Sequence, residues 1–228
     1  MKNINVVFCL IAFLLFSSFG IFSDTIEEVL LKQKEAKIKT YFYQAKVGDK
    51  SQKVEILDSV LAEFDKAKYT NKDKELVNLV TYLSEEGSTR KEFENNRLIN
   101  DYPEVRRKSV MVLAKLGGDQ ARDALINILT NDQNPSVKAE ACNALAEVRD
   151  NDNGEALRAL VYVYRSTYKP DPNLIFAIIN AVKEIANSNA SSYADSIYIL
   201  SEIQMGNYNR KIREAAYEAI QQLSSGKK

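Results

Sequence analysis

The chain has 228 residues, with 31 Lys+Arg against 31 Asp+Glu and a formal net charge of zero. A balanced chain lacks the strongly basic face of a dedicated nucleic-acid binder, so no nucleic-acid partner is expected. It has no histidine, which removes the commonest general base, the commonest transition-metal ligand and any Ser-His or Cys-His nucleophile pair.

Met1–Ser23 opens with Lys2, continues through the apolar run Val6–Phe16 and ends in SSFGIFS. A basic start, an apolar stretch of about ten residues and small residues before a polar chain describe a secretory signal peptide. Cleavage after Ser23, where the polar chain begins at Asp24, is preferred to cleavage after Gly20. The rival is an uncleaved membrane anchor over Ile4–Phe22, close to the roughly 20 apolar residues that a spanning helix needs. Either way the folded part is expected on the exported side, periplasmic or extracellular. Cys9 sits too early in the run to be a lipidated first residue. A cleaved chain keeps only Cys142, so neither an internal disulfide framework nor a cysteine zinc site is expected.

Residues 24–48 read as an amphipathic capping helix, with Ile26, Val29, Leu30 and Ile38 among charged residues. Glu27 and Glu28 lie near its start and Lys32, Lys34, Lys37 and Lys39 follow, an order that complements the helix dipole. A cap is expected because the ends of repeat arrays need a polar outer face. A basic helix for a membrane surface or partner is the other reading. Gly48-Asp49 breaks the pattern.

From Ser51 the chain alternates helical periodicity with short polar breaks. Helices are predicted over 51–67, 71–84, 89–100, 103–116, 119–130, 135–149, 153–168, 172–187, 190–204 and 207–223. Paired in that order they make five hairpins. The connections NDYP, NDQNP and KPDP supply capping Asp or Asn, and a Pro suited to the first turn of the next helix. Four stretches align on their apolar positions: Pro103–Leu116, Pro135–Val148, Pro172–Ile185 and Arg210–Leu223. Their last apolar residues, Leu116, Val148, Ile185 and Leu223, are spaced by 32, 37 and 38 residues. Self-similarity at such a period is the mark of stacked repeats.

The run PEVRRKSVMVLAKLG at 103–117 and PSVKAEACNALAEV at 135–148 resemble the second helix of HEAT repeats. The match is with the short bacterial class named after phycobilisome lyases, and it extends over about Ser51–Leu223. The motif's basic residue stands at Arg106, Lys138 and Arg213, but Ile175 replaces it, and the turn proline is missing before the last repeat. The resemblance implies an all-α fold: an α-solenoid of about five antiparallel helix pairs over 49–224. Residues 225–228 are expected to form a disordered tail.

Stacking predicts a core from the aligned columns. Val105, Val137, Leu174 and Ile212 form one, and Leu113, Leu145, Val182 and Ile220 another. Ser109, Ala141, Ile178 and Ala216 are mostly small, as are Val112, Ala144, Ala181 and Ala219, which lets helices approach closely. Cys142 shares a column with Val110, Ile179 and Tyr217 and reads as a buried structural thiol. The resemblance implies that Arg106, Lys138 and Arg213 pair with acidic groups in neighbouring turns, Asp101 and Asp132 among them. Glu85-Glu86 and Asp150–Asp152 read as capping or solvated loop groups.

The outward positions of the second helices are the candidate binding face, which the resemblance places on the concave side. They are Arg107, Lys108, Met111 and Lys115, then Glu140, Asn143 and Glu147, then Phe176, Asn180 and Lys183; Ala139, Ala177 and Glu184 and the last helix's Glu214, Glu218, Gln221 and Gln222 share that face. The face runs from basic to acidic with two apolar points, and an aromatic amid polar residues is the usual form of a peptide anchor. No phosphate loop, metal-spaced cluster or carboxylate pair stands out. No catalytic, cofactor or metal residues are assigned. The expected function is a non-catalytic exported scaffold with a protein or peptide partner. The alternatives are a membrane-tethered envelope component, if the signal is retained, and a lyase-like enzyme acting on a chromophore.

Overall fold

Proline at the first helical turn and a capping side chain just before it set the starts of the longest repeats. Asn134 Oδ1 accepts from the amides of Ser136 and Val137, and Asp171 Oδ1 accepts from Asn173 and Leu174, satisfying donors that a helix start leaves free. A computed structural model describes residues 26–225, and within them ten helices: α1 (Ile26–Val47), α2 (Lys50–Glu63), α3 (Lys74–Ser84), α4 (Pro103–Leu116), α5 (Gly118–Asn131), α6 (Pro135–Val148), α7 (Glu155–Ser166), α8 (Pro172–Ser188), α9 (Tyr193–Met205) and α10 (Arg210–Ser225). Short 3₁₀ turns, Asp152–Gly154 and Ala190–Ser192, precede α7 and α9. The signal segment 1–23 and the tail 226–228 lie outside the described residues.

The chain divides into two units, residues 1–37 and 38–228. The described part of the first, 26–37, is helical throughout, with Glu27 and Glu28 in its opening turn.

In the second unit α2, α4, α6, α8 and α10 touch in succession and form one layer. Helices α3, α5 and α7 form the other, with α9 packed on α8 and α10. Phe42, near the end of α1, packs on Tyr82 of α3 with ring centroids 5.3 Å apart. The all-α solenoid of stacked helix pairs is thus the observed fold. The columns read from the sequence are its core: Val105, Val137, Leu174 and Ile212 are all buried, as are Ser109, Ala141, Ile178 and Ala216. Ala144 and Ala181 sit buried where α4, α6, α8 and α10 meet. Tyr217 departs from its column and is exposed, since no helix follows α10 among the described residues to cover it.

One predicted helix is absent. Residues 89–100 hold a two-stranded antiparallel hairpin, β1 (Phe93–Glu94) with β2 (Arg97–Leu98), in the register Phe93↔Leu98 and Glu94↔Arg97. Asn95 and Asn96 between them have φ of 49° and 62°. Two successive left-handed residues make the tight turn that joins twisted strands, and asparagine tolerates that conformation better than most residues. Helix α3 therefore pairs with α4 across this hairpin, instead of with α2 as the sequence order suggests.

A buried polar network holds the hairpin's base. Glu86 is fully buried, not a solvated helix-end carboxylate, and is met by Lys53 Nζ at 2.9 Å, Arg90 Nη2 at 2.5 Å and Asn100 Nδ2 at 3.0 Å. Asn100 also donates to Arg90 O and accepts from the amide of Glu92. Arg106 of α4 donates to Glu86 O (2.7 Å) and Asp101 Oδ1 (2.8 Å), and to both oxygens of buried Asp132 (2.6 and 3.3 Å). This matches the acidic partners expected for Arg106. Gly87, at φ 71°, lies so close to the hairpin's end that a Cβ would stand 2.4 Å from Asn100 O. Only glycine lets residues 86–87 approach that strand of chain.

Two further polar residues join successive connectors. Arg122 of α5, largely buried, donates to Asp123 and to Asp150 Oδ2 at 3.1 Å, so Asp150 is a structural ion-pair partner and not a free loop acid. Asn151, buried, accepts from the amide of Leu157 and donates to Ser192 Oγ at 2.6 Å, tying the start of α7 to the start of α9.

Close packing at Ala144 gives a direct test. Ala144→Leu should overpack the α6 contacts and lower stability by about 1–3 kcal/mol, read as a lower urea midpoint with an unchanged slope. An unchanged midpoint would place that column at the surface.

Candidate functional site

Small residues on the inner side of α4, α6 and α8 bring these helices together and leave a continuous solvent face. The ten candidate residues all lie on it. Met111 and Phe176 are its exposed apolar points, 44% and 37% accessible, and Asn143, Glu147 and Asn180 are exposed beside them. Arg107 Nη2 stands 4.0 Å from Glu140 Oε2, so α4 and α6 are linked across the face. Lys108 is paired with Asp58 of α2, and Lys115 lies 5.4 Å from the centre of the Phe64 ring. Lys183 is partly buried and 3.3 Å from Glu184, which also meets Arg149 at 3.0 Å. Much of the charge here is therefore paired within the molecule, and Lys108, Glu140 and Lys183 are half-buried instead of fully outward. Ala177, expected outward, is buried.

Of the three basic motif positions, Arg106 carries the buried ion pairs. Arg106 is bonded as described, whereas Arg213 is exposed. Lys138 is half-buried; burial pushes its ammonium down from the ordinary lysine range, opposed by the Asp132 carboxylate nearby.

Sequence reasoning missed a second surface. Between α7 and α9 the layer opposite α4, α6 and α8 parts and leaves a groove of about 990 Å³. Helix α8 has 17 residues against 14 in α4 and α6, and the 3₁₀ turn 190–192 follows before α9 begins. This added length separates α9 from α7, and it is the lengthened repeat spacing seen from the inside. Leu157, Val161 and Ile199 form the apolar floor, while Tyr162 and Tyr198 stand exposed on opposite walls. A smaller hollow between α5 and α7 shares Arg158 and Tyr162 with it. The signal in the sequence is Tyr162 and Tyr198 on the first helices of their pairs, at positions where a solvated helix is polar.

Among the described residues no group of His, Cys, Asp and Glu could hold a metal ion, and no helix is long and apolar enough to cross a membrane. Cys142 is fully buried, and burial pushes its thiol far above the ordinary cysteine range. The native state then keeps the proton that the unfolded chain releases above its own pKa of about 8.5. Stability contributed by the buried thiol is full below that pH and falls as pH rises beyond it. A thiol-alkylating reagent should leave Cys142 unlabelled in the native chain at pH 8 and label it in urea. Labelling at equal rates in both would contradict this burial.

Residues 96–169 match the family described as HEAT repeats. No curated protein matches the chain. Among solved structures, a designed armadillo repeat protein aligns at 17% identity and a TM-score of 0.44, over 89% of this chain and 96% of its own. A further engineered protein aligns at 18% identity and a TM-score of 0.42, over 90% of this chain and 94% of its own. A repeat scaffold of this kind is consistent with protein binding. Residues 96–169 thus carry HEAT-like repeats, and the stack of helices continues on both sides of that segment.

Proposed function

We propose that the protein is a non-catalytic scaffold that binds a protein or peptide partner on the solvent face of α4, α6 and α8. The observation behind this reading is the pair of exposed apolar side chains, Met111 and Phe176, set among exposed Asn143, Glu147 and Asn180 over a fully buried core. Partner segments anchor through such points, while surrounding polar residues set orientation and exclude water. Arg107, Lys108 and Lys115 make one end basic, and Glu140 and Glu147 make the middle acidic; Lys183 ends the face on α8. The balance of 31 basic and 31 acidic residues supports a protein partner over a nucleic acid.

Export belongs to the same proposal. It rests on Lys2 and the apolar run Val6–Phe16, which lie outside the described residues. Retention of that segment would make the protein a membrane-tethered envelope component with the same exposed face.

Two measurements test the proposal. A partner captured from the native envelope fraction should be lost, by at least tenfold, on the Phe176→Ala/Arg107→Glu variant while its melting temperature holds. Retention of every captured partner would remove the face from the binding role. Mass spectrometry of the native chain should find a start at Asp24, whereas an intact Met1 start would replace cleavage with tethering.

A further inference from the structure

The groove between α7 and α9 has a chemistry of its own, independent of the face on α4, α6 and α8. Its floor is the outer surface of the core: Leu157 and Ile199 are almost entirely buried and Val161 is partly buried against the core. Its two walls each raise one exposed tyrosine, Tyr162 at 59% and Tyr198 at 62% accessible. Tyrosine offers a large, rigid apolar area with a polar tip, the property that makes it common in interface anchors.

The walls differ in charge. Helix α7 contributes Arg158 and Arg165, and α9 contributes Asp195 and Glu202. At the far end Arg165 Nη2 bonds Glu202 Oε2 at 2.6 Å and its guanidinium lies 5.9 Å from the Tyr198 ring centre, so the groove is closed there by its own ion pair. At the near end Arg158 and Asp195 both line the groove from opposite walls. Arg158 donates one bond to Asn153 O, which leaves the rest of its donor fork for an incoming acceptor.

The ridges on these walls recur every four residues: Leu157 and Val161, Arg158 and Tyr162 on α7, and Asp195 and Ile199, Tyr198 and Glu202 on α9. Ridges at that spacing interlock with those of another helix. Helix α7 has 12 residues, about 18 Å at 1.5 Å per residue, room for about three turns of a guest. We infer that this groove docks an amphipathic helix of a partner protein, one whose apolar stripe carries an acidic residue on the edge facing Arg158 and a basic residue on the edge facing Asp195. An apolar stripe with spacing i, i+3, i+4 and i+7 is the form such guests take.

The chain contains no tryptophan, so a tryptophan in a probe reports the probe alone. The probe is a synthetic helical peptide with Leu and one Trp on the stripe, Glu along one edge and Lys along the other. Titrated with the full chain, its emission should shift to the blue and saturate. A peptide with the Glu and Lys edges exchanged should bind at least fivefold more weakly. The Tyr162→Ser/Tyr198→Ser variant should bind the first peptide at least tenfold more weakly with its melting temperature unchanged. Asp195→Lys should move the preference to a peptide with Glu on both edges, which keeps the test intact if the tyrosine variant folds poorly. Phe176→Ala should bind the probe as the unmodified chain does. The inference is overturned by no blue shift, by equal affinity for the two edge arrangements, by tighter binding of a proline-rich peptide, or by loss of the probe on Phe176→Ala.

Discussion

Glu86 is a fully buried carboxylate met by Lys53 and Arg90, with Asn100 as a third partner. These groups come from α2, from the residue run before β1 and from the chain leading into α4, so one carboxylate fixes three separate stretches at once. Arg106 extends the network through Glu86 O and Asp132 to the connector between α5 and α6. Burying ions costs desolvation, and a network of this kind holds only when nearly every lone pair and proton finds a partner. Here nearly all do, although Arg90 Nε stays without a hydrogen bond. The return is a single geometry for a connector that contains no helix. The regular part of the stack needs no such device, because small side chains at Ala141, Ala144 and Ala181 already define how closely its helices meet.

Most of the stack was legible in the sequence because its instructions are local. Pro135 and Pro172 mark first turns, Asn134 and Asp171 cap them, and the apolar columns repeat with the helical period. The hairpin at 93–98 was not legible in the same way. Its segment has enough apolar and charged residues at helical spacing to pass as one more helix, and what overrides this is Asn95-Asn96 in a left-handed turn together with long-range bonds from Asn100. Those bonds join residues far apart in sequence, as do Arg106 to Asp132 and Asn151 to Ser192, and no periodicity announces them. Glu86 and Asp150 escape a reading of the sequence for the same reason. A carboxylate at a helix end is normally solvated, and only the fold shows which cation comes to meet it.

The surfaces divide along the same line. The face on α4, α6 and α8 follows from helix periodicity, but the sequence did not show how much of its charge is paired internally. Asp58, Glu184 and Phe64 each engage a cation that had looked available, which leaves Met111 and Phe176 as the distinctive points. The groove beside Tyr162 and Tyr198 arises where the repeat spacing is 38 residues, between Ile185 and Leu223, because the end of α8 and the 3₁₀ turn 190–192 fall in that interval. Repeat proteins tolerate such a change because each pair depends mainly on its neighbours.

That same locality makes the role of Glu86 measurable. Native-state hydrogen exchange on Glu86→Ala, compared with the unmodified chain, separates the N-terminal pairs from the rest. Removing one member of a buried ionic network should lower the opening free energy of amides in α2, α3 and α4 by about 3–5 kcal/mol, while amides in α8 and α10 keep their protection. Unchanged protection in α2–α4, or an equal loss in every helix, would contradict the account of Glu86 as the local organiser of the stack.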